Sequence, residues 1–154
     1  MAFIFVIVFG ILMVNNAVSA GIPQCRKVFH QANDNPHPVS STPIKINLTD
    51  AGVFDGAIEV VVYAKIVTGY IYKGAGKEGT LFVRLLDTNS AIQDTRNLFY
   101  KIYQQSALSY NSENIQFPVI SGLSKAVEAG LNGPTHRRVQ GTVQIVGYYT
   151  VQCL

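Results

Sequence analysis

Residues 139–154, VQGTVQIVGYYTVQCL, constrain the fold of this chain more than any other stretch. Val143, Ile145, Tyr149 and Val151 recur at every second residue with Gly147 among them, while Gln140, Thr142, Gln144, Thr150 and Gln152 take the alternate positions. That is a β-strand with one buried face. Cys153 is in phase with the apolar set, so the alternation predicts that its sulfur points into the core. The only other cysteine, Cys25, lies near the opposite end of the chain. In an oxidising compartment the simplest arrangement joins Cys25 to Cys153; an intermolecular bridge and free thiols are the alternatives. A bridge closing so long a loop stabilises by about 4 to 5 kcal/mol in the chain-entropy model.

The compartment is read from the other end. Residues 1–20 carry no charged side chain and hold an apolar run over 2–14, followed by Val18-Ser19-Ala20 with small residues where a signal peptidase cuts. The run falls short of the roughly 20 residues that span a bilayer. Residues 1–20 are therefore expected to be a signal peptide, with 21–154 a single secreted, extracellular β-rich domain. All 12 Lys and Arg and all 9 Asp and Glu lie after residue 20, giving a mild net charge of +3 that is spread thinly rather than gathered into a patch. A nucleic-acid surface needs denser basic charge, so no nucleic-acid partner is expected. Asn47-Leu48-Thr49 is a glycosylation sequon whose Asn47 the alternation places on the polar side of its strand.

Along the chain, 21–42 is too rich in Pro, Asn and Ser for helix or central strand. Strands are predicted over 43–49, 57–67 and 80–86, the last two joined as a hairpin through the glycine-rich turn at 74–79. Residues 96–104 fit both periods, with the aromatic density at Phe99, Tyr100 and Tyr103 tilting toward strand. Pro118 pushes 115–120 to a sheet edge. One short helix is predicted over 121–132, capped by Ser121 or Ser124, lined by Leu123, Ala126, Val127 and Leu131, and stopped by Asn132-Gly133-Pro134. Six or seven strands without strand–helix alternation give an all-β, mainly antiparallel, single-domain β-sandwich.

Chemical motifs are sparse. Gly74-Ala75-Gly76-Lys77-Glu78-Gly79 matches a phosphate-loop string, but a strand pattern follows it instead of a helix, so no dinucleotide is expected. His30, His37 and His136 show no metal-ligand spacing, although His30 and His37 flank Asp34 closely enough to close on zinc or copper after folding. With both cysteines allotted to a bridge and no serine in a nucleophile elbow, neither catalysis nor a cofactor or metal is expected. Asp50, Asp55, Glu59 and Asp87 allow carboxylate pairs, as any nine acids would.

The least ordinary feature is the set of 8 tyrosines. Tyr63 and Tyr148 fall on outward positions of their predicted strands, and with Tyr70 and Tyr72 they form a candidate binding surface; covering a second sheet is the bland alternative. The terminal strand, and the His37-Pro38 segment after an early Cys25, resemble the reeler-type domains of insect secreted defence proteins over few residues. The tryptophan usual in such domains is absent here, and no function is carried over. The expected function is that of a secreted non-enzymatic binding or effector protein, such as an extracellular defence, salivary or venom-type component, acting through a sheet face or loops. Its partner would be an extracellular protein, a glycan or a membrane surface. A membrane-active β protein, in which 69–79 and its flanking strands unfurl, and a secreted hydrolase using His30 or His136, are the alternatives.

Overall fold

The computed structural model describes residues 23–69, 77–102, 109–133 and 139–154. Within these, nine strands run β1 (Cys25–Gln31), β2 (His37–Val39), β3 (Ile44–Asn47), β4 (Glu59–Thr68), β5 (Lys77–Asp87), β6 (Ile92–Ile102), β7 (Ser109–Pro118), β8 (Ser124–Asn132) and β9 (Val139–Cys153). They form two antiparallel sheets. The first has the order β1-β9-β4-β7, with β2 also on β9, and the second has the order β3-β8-β5-β6.

The inner faces supply the core. From the first sheet come Val60, Val62, Ala64, Ile66, Ile115, Phe117, Val143 and Ile145; from the second come Ile46, Leu81, Val83, Leu85, Leu98, Ile102, Val127, Ala129 and Leu131. Each set is spaced by two along its strand, the pattern that buries one face of an antiparallel sheet against another. The backbone at Gly141 lies close to the facing sheet: a Cβ there would stand 2.8 Å from a methyl of Leu81 and 3.4 Å from one of Leu131. A residue without a side chain lets these leucines pack directly over the β9 backbone.

The all-β antiparallel sandwich agrees with the sequence reading, and several finer expectations do not. Residues 121–132 are not a helix; Ser124–Asn132 is a strand between β3 and β5. It is buried on both faces, Val127, Ala129 and Leu131 inward and Ala126 and Gly130 outward, so no period-two signal survives. At Gly130 the Phe82 ring lies over the place of a Cβ, at 2.5 Å, so that any larger residue would have to displace the ring. Nor do the strands at 57–67 and 80–86 pair as a hairpin. β4 lies between β9 and β7 in one sheet, and β5 between β8 and β6 in the other, so the chain changes layers there. The ambiguous 96–104 segment falls largely in β6, and β7, ending at Pro118, closes one end of its sheet order.

β9 holds the most consequential difference. Val62 is paired with Ile145 and Val61 with Gly147, so Val146 is an extra residue, a β-bulge. A bulge of one residue exchanges the two sides of a strand. Up to Ile145 the predicted phase holds; beyond it Tyr148 pairs with the buried Val60, placing Tyr148, Thr150 and Gln152 on the inner side. Tyr149, Val151 and Cys153 turn outward. Cys25 and Cys153 are directly opposed in the β1–β9 ladder and disulfide-bonded, with Cα atoms 4.0 Å apart, and both are exposed. The bridge is as predicted, whereas its burial is not.

β1 and β2 share one side of β9 but leave a gap between Gly147 and Val143. Asp34 fills it. Its Oδ2 accepts the Ile145 N–H at 2.8 Å, its backbone carbonyl accepts from Gln144 Nε2 at 2.7 Å, and its Oδ1 meets His37 Nε2 at 2.7 Å. One carboxylate thus replaces a missing stretch of ladder.

Candidate functional site

The bridged end of the sandwich gathers the loops 48–58, 87–91 and 119–123 beside the end of β9. Short polar contacts hold these loops. Leu48 N–H donates to the Lys125 carbonyl at 2.9 Å, Val53 N–H to Leu48 at 2.9 Å, and Thr88 N–H to Leu123 at 3.0 Å. Asp55 Oδ1 accepts from the Gly122 N–H at 3.2 Å, and Gly122 has a φ of 71°, a left-handed conformation that glycine adopts without strain. Ser124 Oγ accepts from the Ile120 N–H at 2.9 Å and donates to Gln93 Oε1 at 2.7 Å. Ser124, expected to cap a helix, instead closes the turn before a strand.

Two clefts open here with Phe54 as their common wall. The Phe54 ring is 61% exposed and packs against Gly56, where a Cβ would stand 2.4 Å from a ring carbon. On one side a cleft of about 310 Å³ has an apolar floor of Leu48, Val53, Ala57 and Val119, and a rim with Asp55, Thr88, Ser121 and Lys125. On the other side is a shallower cleft of about 410 Å³, lined by Val28, His30, Phe54, Tyr148, Thr150 and Gln152 among others. No residue of the second sheet lines it. Here the first sheet runs past its partner, and beyond Tyr148, which still packs against the core, the inner-side residues meet the Phe54 loop.

His30 and Tyr148, opposite each other on β1 and β9, stack with ring centroids 5.1 Å apart and an interplanar angle of 19°. His30 Nε2 is 2.9 Å from Thr150 Oγ1, with donor and acceptor set by the tautomer. On the outer side of the same strands Phe29 lies edge-on to Tyr149 at 5.3 Å and covers Gly147, and Lys27 pairs with Glu59.

The tyrosine surface read from sequence is not a single face. Tyr63, half-buried, pairs with Gln144 and Asn114 on the outer side of the first sheet, whereas Tyr148 is on the inner side against the core, turned there by the bulge. Tyr70 and Tyr72 lie outside the described residues, as do residues 1–20, expected to be a signal peptide, the first half of the glycine-rich turn and His136. Asn47 is exposed at the end of β3, where its Nδ2 donates to Asp50 Oδ2 at 2.9 Å. His30 and His37 do not converge: one bonds Thr150 and the other Asp34. Among the described residues, no group of three His, Cys, Asp or Glu side chains is placed to hold a metal ion. Phe54 went unmarked as a site residue because an apolar plug in a polar turn is most often buried. Gly56 leaves room for the ring where it lies, a signal visible only once the ring is placed.

No protein-family model matches this chain, and no curated protein matches it. Solved structures similar to it include the infectious bursal disease virus Gx strain (11% identity, TM-score 0.39, 96% of this chain and 40% of that one). Another is the VP2 subviral particle of the same virus (12%, 0.41, 96% and 41%). A third is the CBM22-1 xylan-binding domain of Paenibacillus barcinonensis Xyn10C (13%, 0.38, 84% and 85%). The chain spans about 40% of the length of the viral chains it matches. At these TM-scores the likenesses carry no argument about function.

Proposed function

We propose that this chain is a secreted, non-enzymatic binding protein that engages an extracellular partner through the loops at the bridged end of its sandwich. One observation carries the reading: the large apolar side chains exposed there, Phe54 at 61%, Ile92 and Ile120 at 55% each and Leu123 at 49%, surround clefts with an apolar floor and a polar rim. Clustered exposed apolar groups cost solubility and mark contact surfaces, and concave sites with a few polar groups take ligands. Phe99 and Tyr110, also exposed, lie toward the other end beside segments outside the described residues.

The Cys25–Cys153 bridge supports an oxidising, extracellular setting. Asp55 and Lys125 give the rim mixed charge, which suits a partner with both apolar and polar groups better than an anionic bilayer. Exposed Asn47 supports a glycan on the same chain.

Titration of the purified protein with p-cresol, a small phenolic probe, followed residue by residue by amide NMR, tests the reading. Shifts should concentrate in 48–57 and 119–125, and Phe54→Ser or Ile120→Ser should weaken them by about tenfold with the unfolding midpoint within error of wild type. Shifts confined to other parts of the chain, or left intact in both variants, would overturn it.

A further inference from the structure

We infer that the cleft between Phe54 and the overhanging end of β1 and β9 is a binding site for a neutral saccharide, an inference that rests on the loop-end reading above and names a ligand for one of its clefts. Three features of the cleft lead to this class. First, no Lys, Arg, Asp or Glu is among its lining residues, in contrast to the neighbouring cleft with Asp55 and Lys125 on its rim. A charged ligand would leave water there without a counter-charge, and burying an unpaired charge is costly. Second, aromatic surface is offered from opposite sides, by the exposed Phe54 ring and by the His30–Tyr148 stack. A pyranose presents C–H groups along its faces, and such groups pack on aromatic rings and apolar walls such as Val28.

Third, hydrogen-bonding groups of both kinds stand between these walls. Thr150 Oγ1 and the Gln152 amide both donate and accept, as does the Tyr148 hydroxyl, and the His30 ring adds further hydrogen-bonding nitrogens. Sugar hydroxyls also do both, so the match is with a ligand rich in hydroxyls rather than a hydrocarbon, which would leave these groups dry and unpaired. The His30–Thr150 contact, at 2.9 Å, holds both side chains in place before a ligand arrives, lowering the ordering cost of binding. A volume of about 410 Å³ accommodates one or two sugar rings in a cleft open enough for a longer chain to pass through.

The test is amide NMR titration of the purified full chain with neutral oligosaccharides from two sources. One is a mannose-rich oligosaccharide of the kind carried by glycoproteins, and the other is a β-linked glucose or N-acetylglucosamine oligomer of the kind found in structural polysaccharides. A uronic-acid oligomer of the same length is the charged comparison. A neutral oligomer should shift residues 28–30, 54–56 and 148–152 as one saturable set, and the responding arm identifies the source. Phe54→Ala and Thr150→Val should each weaken this by about tenfold with the fold and unfolding midpoint retained. No response to either neutral oligomer while p-cresol still shifts 119–125 would overturn the saccharide assignment and leave the loop-end reading standing. Silence from p-cresol as well would overturn both. Binding of the uronic-acid oligomer as tightly as the neutral ones would also overturn the assignment, because it contradicts the uncharged lining that selects the class.

Discussion

The two halves of β9 share an alternating pattern and have different roles. From Val139 to Ile145 its inner residues face a second sheet, and Val143 and Ile145 are completely buried. Past Val146 its inner residues, Tyr148, Thr150 and Gln152, face the Phe54 loop across an open cleft. In both halves apolar and polar residues alternate, and what separates core from surface is whether the facing layer is still present. A sheet that outruns its partner leaves a shelf already shaped by the pleat, its backbone paired along one side because β1 continues the ladder to Cys25. The fold thus makes a candidate ligand site by extending an element.

This contrast can be broken by experiment. Replacing both cysteines by serine should cost the largest amount, about 4 to 5 kcal/mol in the chain-entropy model for a link spanning 128 residues, read as a lower denaturant midpoint than that of the oxidised wild type. A cost below about 1 kcal/mol would mean that the strand pairing alone secures the overhang. Ile145→Ala should cost about 3 kcal/mol, whereas Thr150→Ala in the same strand should stay within about 0.5 kcal/mol, by matched denaturant melts. Equal costs would erase the distinction between the halves. Asp34→Ala should cost about 2 kcal/mol by leaving the Ile145 N–H without its acceptor, and hydrogen exchange at Ile145 should accelerate in that variant.

The smallest effect lies away from this strand. Lys101, hydrogen-bonded to Glu78 at 2.8 Å, holds that carboxyl below its ordinary value of 4.5. Because the folded value is the lower one, the contribution is present above the ordinary value and is lost as pH falls through the lowered one. Glu78→Gln should therefore flatten a slight acid-side slope in stability and lower the neutral-pH melt by the same slight amount, small because the pair is exposed.

The fold class was legible because one-faced strands announce themselves: residues 44–47, 59–68 and 139–145 alternate cleanly and each buries the predicted side. β8 was not legible, since a strand covered on both faces, with Ala126, Ala129 and Gly130 in it, loses its period and takes on helix-like composition. The cysteine pairing followed from there being only two. Their exposure did not, because a bulge carries no residue signature that alternation can detect, and every inference past Val146 inherited the wrong side. Tyr148 was misplaced for the same reason. Phe54 and His30, distant in sequence, become walls of one cleft only after the loop and the overhang are set in place.

The single surplus residue at Val146 has a genetic consequence. Deletion of that one codon would leave Gly147 opposite Val61 and Cys153 opposite Cys25 in an unbroken ladder, whereas a slip that keeps the residue and pairs Val146 with Val61 would send Tyr149, Val151 and Cys153 toward the interior and Tyr148 and Thr150 to the outside, with Cys25 still facing out on its own strand. The lock would then be unable to close, and the aromatic wall of the cleft would vanish by the same event. Covalent closure and ligand wall are thus tied to one reading of the strand, so that neither survives a slip that spares the other.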